Sequence, residues 1–421
     1  MKESLAMATV KPFRGLRPVV ELAEKVASPP YDVITSDEAR KMAMDDPYSF
    51  LHVTKPEIDL EPTINLYDAK VYEQGVKNFK KFLKDKIFIQ DEKPYFYLYR
   101  QIMGDHQQTG LVACASVAEY NDNIIKKHEL TRLDKEDDRL NHILTLKAQT
   151  GPVFLTYRAK ESTAVLFNKW TATEPVYDFL THDGIRHTFW VINDQDTISK
   201  IEEQFKAIDC LYVADGHHRS AAASRACTTL KKNNPNHSGK EEYNFFLTVI
   251  FPHSQMQILD YNRVVKDLNG LSVEEFLERL SEKFLIREFS SAHGYKPSVK
   301  HDFGMYVNGV WYRLSAIPGS WDDSQPTKRL DVSILYDNVL QPILGIGDVR
   351  KDKRIDFVGG IRGLEGLQKR VDNGEMTVAF SLFATRIEEL LEIADAGEIM
   401  PPKSTWFEPK LCSGLVIHLL N

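Results

Sequence analysis

The sequence has few cysteines, and none is spaced for a metal or redox site. Its 421 residues include four cysteines, Cys114, Cys210, Cys227 and Cys412, and no two of them form a Cys-x-x-Cys pair. This spacing excludes a disulfide-stapled scaffold and a zinc ribbon, both of which need paired cysteines. A chain that does not depend on disulfides suits a reducing compartment, so we expect a cytoplasmic location.

Long apolar runs and a basic excess are also missing. No window approaches about 18 uncharged apolar residues, so we expect no membrane span. The first stretch, MKESLAMATVKPFRGLRP, is too polar for a signal peptide. The formal net charge is -7, and nucleic-acid-binding surfaces usually show a basic excess, so we expect no nucleic-acid partner. No Walker A motif, kinase glycine-rich loop or HExxH motif occurs.

The predicted elements mix hairpins with helices. Alternating aromatic and β-branched residues at 95–103 and 108–120 predict two paired strands joined by the turn GDHQ. Asp183-Gly184 and Asn308-Gly309 predict two further hairpin turns. This order favours an α+β fold over a doubly wound sheet. The predicted regions are 1–90, 91–268 with an insertion near 163–195, and 269–421.

Several local details follow from residue type alone. Ser36 is predicted to cap the short helix SDEARKMAM, which has acids in its first turn. The segment 163–200 is predicted to be strand-turn-strand. Asn262 and Arg263 are predicted to belong to a structural ion pair, and Glu136 and Asp137 are predicted to be exposed on a solvated helix face.

The stretch CLYVADGHHRSAAASRACTTL, residues 210–230, carries the strongest functional signal. Strand-forming residues lead into Asp215, and Gly216 permits a tight turn and a close approach by a ligand. The helix that follows presents unpaired N–H groups and a partial positive charge, which together suit a phosphate. Arg219 adds a charged planar fork. His217, His218 and Ser220 complete the predicted phosphate cradle, and Asp215 is the candidate Mg²⁺ ligand.

Two other stretches have weaker signals, and each keeps an alternative. KSTWFEPK offers Lys403, Ser404 and Thr405 to a phosphate or a substrate carboxylate, but a closing strand with a surface lysine explains it equally well. SPPYDV could line a cleft through Tyr31 and Asp32. A rigid extended turn imposed by the two prolines is the favoured interpretation there.

The segment ADGHHRSAAA resembles the phosphate-binding turn of the ParB/sulfiredoxin-like superfamily, and its Asp-Gly-His-His-Arg is similar to the turn of archaeal free-serine kinases. His217 stands where sulfiredoxins have a cysteine, so sulfinate repair, which needs a thiolate, is not expected. The chain as a whole resembles the bacterial domain-of-unknown-function family 1015. The stretches that carry this resemblance are SPPYDVIT (28–35), DPYSFLHVTKPEIDL (46–60), KKHELTRLDKEDDR (126–139), ADGHHRSAAA (214–223), LDYNRVVKDL (259–268) and MPPKSTWFEPKLCSGL (400–415).

The resemblance implies a central ParB/sulfiredoxin-like mixed-sheet domain in residues 91–268 that binds ATP or ADP with Mg²⁺. It also implies a kinase that phosphorylates free L-serine to O-phosphoserine. Glu129, which follows His128, matches the kinases' His-Glu pair and would take the proton of the serine hydroxyl. Positive charge near the phosphates or the substrate carboxylate would come from Lys126, Arg132, Lys135 and Arg139.

Two alternatives to the kinase remain open. One is a ParB-like nucleotide-sensing binding protein, and the other is a nucleotide hydrolase acting at the same turn. A homo-oligomer is possible in each case.

Overall fold

The structure is a computed structural model that describes residues 8–291 and 293–420. The predicted lack of a signal peptide depends partly on residues 1–7, which lie outside the described residues. The chain folds into two compact units. The first contains the described residues up to Lys127, Thr131–Met256 and those from Pro409 onward. The second contains His128–Leu130 and the described part of Gln257–Glu408.

The described strands are numbered in chain order. They are β1 (Val10–Lys11), β2 (Leu16–Pro18), β3 (Phe88–Gln90), β4 (Phe96–Met103), β5 (His106–Ser116), β6 (Ile125–Lys126), β7 (Ala148–Gln149), β8 (Val153–Tyr157), β9 (Tyr177–Leu180), β10 (Arg186–Ile192), β11 (Leu211–Asp215), β12 (Phe245–Pro252), β13 (Ile258–Leu259), β14 (Tyr261–Val265), β15 (Phe284–Glu288), β16 (Asp302–Val307), β17 (Val310–Ala316), β18 (Ile355–Gly359), β19 (Val378–Leu382), β20 (Trp406–Phe407) and β21 (His418–Leu419).

The described α-helices are numbered in the same way. They are α1 (Ala23–Val26), α2 (Ser36–Ala43), α3 (Leu51–Thr54), α4 (Ala69–Lys84), α5 (Val117–Asn121), α6 (Leu133–Leu146), α7 (Glu161–Thr171), α8 (Gln195–Lys206), α9 (His217–Lys232), α10 (Val273–Ser281), α11 (Asp331–Leu335), α12 (Gly363–Asp372) and α13 (Ile387–Asp395).

The first unit is built on a nine-stranded mixed sheet. Its strand order is β6-β11-β8-β12-β5-β4-β10-β9, and β1 pairs with β5. The pairs β6–β11 and β8–β12 are parallel, and the other pairs are antiparallel. The hairpin predicted at 95–103 and 108–120 is confirmed as β4 and β5, but residues 117–120 belong to the helix α5 and not to a strand. Of the predicted α+β fold, the structure shows the combination of helices with a large mixed sheet.

Both faces of the central strand β5 are covered. Leu111, Val112, Ala113, Cys114 and Ala115 are all fully buried, which explains why the sequence reads there as an unbroken apolar run. Residues 111, 113 and 115 pack in one apolar cluster with side chains from α8 and α9. This core holds the sheet rigid beneath β11 and the helix that follows it.

The second unit has a six-stranded antiparallel sheet. Its strand order is β15-β17-β16-β19-β14-β18. The turn predicted at Asn308-Gly309 is confirmed, and it joins β16 to β17. Both residues have positive φ, 49° and 79°, as two-residue hairpin loops that match the strand twist require.

Four local expectations were wrong. Thr35, rather than Ser36, caps α2, through a capping box with Glu38. The segment 163–200 begins inside the helix α7, before the hairpin β9–β10. Glu136 is buried and accepts hydrogen bonds from Thr131 and Arg225. Arg263 is buried but forms no ion pair with a described residue, and it donates instead to the carbonyls of Tyr261 and Lys403.

Within the described residues, no helix is long and apolar enough to span a membrane.

Candidate functional site

The Asp-Gly-His-His-Arg segment forms the predicted strand-turn-helix corner. The strand β11 ends at Asp215, and its pairing with β8 is irregular between Val213 and Asp215. Such irregularities re-aim the end of a strand. Gly216 has φ 93° and ψ 31°, a left-handed conformation that side chains with a Cβ disfavour. The helix α9 therefore begins at His217, and the N–H groups of its first turn have no carbonyl partner within the helix itself.

Arg219 folds back over this glycine. A Cβ on residue 216 would lie 3.2 Å from the Arg219 Cζ and Nε atoms. The guanidinium donates to the Pro152 carbonyl and, at 3.4 Å, to the Asp32 carboxylate. Its Nε is buried, and no described residue accepts a hydrogen bond from it. The corner thus holds a cation whose side chain is only 10% exposed and whose Nε donor is unused among the described residues, which is what a bound anion would satisfy.

Asp215 is paired with a lysine from the end of the first unit. Lys410 Nζ donates to Asp215 Oδ2 at 2.9 Å, and the Gly216 N–H donates to Oδ1 at 2.7 Å. Burial alone would raise the pKa of Asp215, but the Lys410 ammonium and the Arg219 guanidinium outweigh it and lower that pKa. The carboxylate therefore stays ionised and is already neutralised by its neighbours.

A narrow cavity beside the corner collects further charged groups. Tyr31, Arg139, Gly151, Arg219 and Ser413 are among its lining residues. The Arg139 guanidinium stacks over the Tyr31 ring, 3.8 Å from its centroid. Burial and the adjacent Asp32 raise the pKa of the Tyr31 phenol, so it stays protonated and can donate a hydrogen bond. Two guanidinium groups and a phenol thus line one small cavity of the first unit.

The remaining residues of the turn differ in their access to a ligand. His217 is buried, and His218 is partly exposed. The His218 Nε2 accepts a 3.1 Å hydrogen bond from the Arg132 N–H, so its proton lies on Nδ1 in that arrangement. Ser220 is fully buried, and its hydroxyl donates to carbonyls inside the helix. Ser220 therefore stabilises the first turn of the helix and does not present its hydroxyl to a phosphate.

The segment that carries His128 and Glu129 leaves the sheet at the end of β6. β6 and β11 are parallel neighbours, with Tyr212 opposite Lys126. Parallel strands end at the same sheet edge, so the chain leaves β6 toward Glu129 on the edge where β11 enters the phosphate turn. The hydrogen bond from Arg132 to His218 attaches the chain beyond Glu129 to α9. His128 is buried, and its carbonyl accepts from the Met400 N–H within the second unit.

Of the basic residues predicted to bind substrate, only Arg139 lines the cavity with Arg219. Lys126 Nζ lies over the Tyr212 ring, and Lys135 Nζ donates to the Tyr67 hydroxyl. The Arg132 side chain is 62% exposed and pairs with Asp134. Lys126 remains beside β11, whereas Arg132 and Lys135 have partners on the surface.

The predicted substrate residues near the C-terminus belong to the second unit. Lys403 is exposed, and its ammonium lies over the Tyr261 ring. Ser404 is buried and donates to the Pro401 carbonyl, while Thr405 is partly buried. These contacts stabilise the loop that precedes β20.

Sequence reasoning missed Lys410 and gave too little weight to Tyr31 and Asp32. Lys410 is the second lysine of KSTWFEPK, and this lysine, rather than Lys403, meets Asp215. The signal in SPPYDV was an aromatic residue beside a carboxylate. The two prolines alone accounted for that stretch as a rigid turn, so no function was needed to explain it. Lys410 and Asp215 are far apart in the chain, and so are Asp32 and Arg219. The spacing of residues in the sequence could therefore not reveal that they meet.

The charged groups at the corner suit a bound anion better than a bound metal cation. Asp215, the predicted Mg²⁺ ligand, is held by Lys410 and lies near Arg219. A metal bound directly to this carboxylate would have to displace the ammonium and approach a guanidinium. Phosphate oxygens would meet helix N–H groups, the unused Arg219 donor and Lys410, all of which favour negative charge.

The fold is that of a mixed α/β protein, and its strand-to-helix corner is a candidate anion site. The chain belongs to the family described as protein of unknown function (DUF1015), whose model matches residues 10–333. No curated protein matches the sequence.

Solved structures resemble the chain only distantly. A conserved hypothetical protein from Pyrococcus furiosus is 15% identical, with a TM-score of 0.34, over 72% of this chain and 94% of that one. A free serine kinase in complex with AMP is 15% identical, with a TM-score of 0.33, over 71% and 86%. SbnI from Staphylococcus aureus, truncated at its C-terminus, is 12% identical, with a TM-score of 0.38, over 73% and 87%. These likenesses are too low to assign a function.

Proposed function

We propose that the protein is a small-molecule kinase that transfers a phosphoryl group from ATP or ADP to the hydroxyl of free L-serine. The observation that carries the nucleotide site is the Arg219 guanidinium, buried over Gly216 at the start of α9 with its Nε unused among the described residues. A nucleotide's terminal phosphates would supply an anion for this donor at the N-terminal end of α9, where the helix dipole favours negative charge.

The kinase chemistry is proposed from the sequence motif and from the residues that follow two parallel strands at one edge of the sheet. The Asp-Gly-His-His-Arg turn is similar to that of free-serine kinases, and Glu129 follows the strand parallel to the one that enters the turn. Phosphoryl transfer needs mainly alignment and charge neutralisation. Glu129 is the proposed base for the serine hydroxyl, and Lys410 and Arg219 neutralise the phosphates.

Mg²⁺ is proposed to arrive with the nucleotide phosphates, because Asp215 is already paired with Lys410. Arg139 is the proposed partner of a substrate carboxylate or an outer phosphate, because it lines the same cavity as Arg219. Lys126, at the end of the parallel strand β6, adds positive charge at that edge.

The test is an assay of the full-length chain with Mg²⁺, either ATP or ADP, and a panel of amino acids that includes serine, threonine and alanine. Mass spectrometry should detect O-phosphoserine that forms only when the enzyme, the nucleotide and serine are all present. Alanine, which has no hydroxyl, is the matched negative control. Absence of any phosphorylated amino acid would overturn the kinase proposal.

The same assay separates the alternatives. Phosphate released at equal rates with and without serine would identify a nucleotide hydrolase. Saturable nucleotide binding without turnover would identify a sensing protein of the ParB type.

A further inference from the structure

The second unit encloses a cavity that the proposed kinase site does not use. Its volume is about 620 Å³, within the range of pockets that hold small molecules. Val332, Leu340, Phe357 and Met400 supply apolar parts of its wall. A pocket of this size with an apolar wall suits a ligand that has an apolar body.

The charged groups of the wall leave one positive charge without a counter-charge. Lys328 pairs with Asp337 at 2.9 Å, and Arg350 pairs with Asp348 at 3.1 Å. Arg263, the fifth charged residue of the wall, forms no ion pair with a described residue. The wall therefore carries one cation more than it carries carboxylates.

Arg263 is also the most deeply buried of these groups. It is 3% exposed, and its Cζ lies 5.3 Å from the centroid of the Phe357 ring. Two of its donors are taken by the carbonyls of Tyr261 and Lys403. Burial lowers the pKa of Arg263 to about 10, and no carboxylate offsets this effect. A guanidinium keeps its proton even so, so the cavity contains a desolvated positive charge.

Such a charge is unfavourable unless a ligand compensates for it. Burying an unpaired charge costs far more than burying an apolar side chain of similar size. A leucine or methionine at position 263 would fill the same space in β14 without that cost. The arginine therefore points to an anion that enters the cavity.

We propose that this cavity binds a monocarboxylate with an apolar body and that Arg263 holds the carboxylate. A single excess positive charge matches a single negative charge, whereas a phosphate dianion would leave net negative charge in an apolar site. The planar guanidinium fits the two oxygens of a carboxylate, and Phe357 supports the adjacent part of the ligand. This proposal is independent of the proposed kinase site.

The probe is naphthalene-2-carboxylate, and naphthalene-2-carboxamide is its uncharged control. Isothermal titration calorimetry on the full-length chain should show saturable binding of the carboxylate at one site. The amide should bind at least about tenfold more weakly, because it lacks the charge that Arg263 would pair with. No saturable binding of the carboxylate, or equal binding of the amide, would overturn the proposal.

Two variants locate the binding site. Arg263→Met should weaken carboxylate binding by about tenfold or more, whereas Arg329→Met, which removes a cation that pairs with Glu392 and does not line the cavity, should leave it unchanged. Gly347→Phe should abolish binding, because an added Cβ there has no heavy atom within 4 Å and the ring can fill the cavity.

Circular dichroism establishes that each variant is folded. If Arg263→Met does not fold, Gly347→Phe and Arg329→Met still decide the question. Unchanged affinity in a folded Gly347→Phe variant would place the bound carboxylate elsewhere and contradict the proposal.

Discussion

Lys410 Nζ lies 2.9 Å from Asp215 Oδ2 and joins two positions 195 residues apart in the chain. This contact fixes the charge of the corner. Without Lys410, an ionised carboxylate would stand at the entrance to the helix N-terminus and repel phosphate. With Lys410, that carboxylate is neutralised and an anion can approach Arg219 and the first N–H groups of α9.

Replacing Lys410 should therefore weaken nucleotide binding. We expect Lys410→Met to raise the Kd for ATP by about tenfold or more, since a charge-assisted contact is lost and Asp215 becomes unpaired. Lys410→Arg should retain most of the affinity. The matched control is Lys403→Met, which removes an exposed lysine of the same sequence stretch. Calorimetric titration with ATP measures all three, and equal losses at positions 403 and 410 would contradict the assignment.

Alanine at Gly216 should damage both stability and binding. The left-handed backbone at this position costs about 1 kcal/mol for a residue with a Cβ, and the added methyl group would press on the Arg219 guanidinium. Gly184→Ala is the matched control, because Gly184 has φ 81° and no heavy atom lies within 4 Å of an added Cβ. Both variants should lose similar stability in urea unfolding, but only Gly216→Ala should lose ATP affinity.

Arg219 and Arg225 lie on the same helix. Variants at these two positions therefore distinguish the recognition of phosphate from a general effect of surface charge. Arg219→Ala should weaken ATP binding by about tenfold or more and make it less dependent on salt. The Arg225 side chain is 38% exposed and pairs with Glu136 and Asp137, so Arg225→Ala should leave the Kd unchanged. Titrations at two ionic strengths provide the comparison. Full affinity in Arg219→Ala would show that the guanidinium does not contact the nucleotide.

Glu129→Gln tests the proposed base. The substitution keeps the size of the side chain but removes its ability to accept a proton, so phosphoserine formation should fall by about 100-fold or more while the Kd for ATP stays the same. Asp137→Asn is the control, because Asp137 pairs with Arg225 on an exposed surface. Single-turnover assays with labelled ATP measure the transfer. If Glu129→Gln keeps full turnover, the base lies elsewhere.

Two buried histidines should make the first unit sensitive to acid. Burial lowers the pKa of His142 and of His187 to about 4, below the value of about 6.5 in an unfolded chain. The unfolded state therefore binds more protons between these values, so stability is full above about pH 6.5 and falls as the pH drops toward 4. Each histidine accounts for roughly 3 kcal/mol over that window.

Urea unfolding at a series of pH values measures this effect. His187→Gln should flatten the dependence between pH 6.5 and 4, since an amide does not titrate there. The same change at the exposed His293 should leave the slope as it is in the wild-type chain. An unchanged slope in His187→Gln would mean that this ring is already protonated in the folded protein.

The strand-turn-helix corner was predictable because its causes are local. Strand-forming residues before Asp215, a glycine able to adopt positive φ, and small residues after it specify β11, the turn and α9 within about 20 positions. Hairpins β4–β5 and β16–β17 were predictable for the same reason, because alternation and turn chemistry act between neighbours in the chain. Even so, local rules did not choose between Thr35 and Ser36, two adjacent hydroxyl residues that can both cap a helix.

The partners of the site depended on the tertiary structure. The folded chain brings Lys410 to Asp215, Asp32 to Arg219 and Tyr31 to Arg139. It also leaves Arg263 buried beside a cavity and, among residues 8–291 and 293–420, without the ion partner that its sequence context suggested. The amino-acid order alone determined the elements and the phosphate-type turn, since these depend on backbone preferences within a few residues. Which charges meet, and which one stays uncompensated, was decided by packing between distant segments, and no spacing along the chain records that.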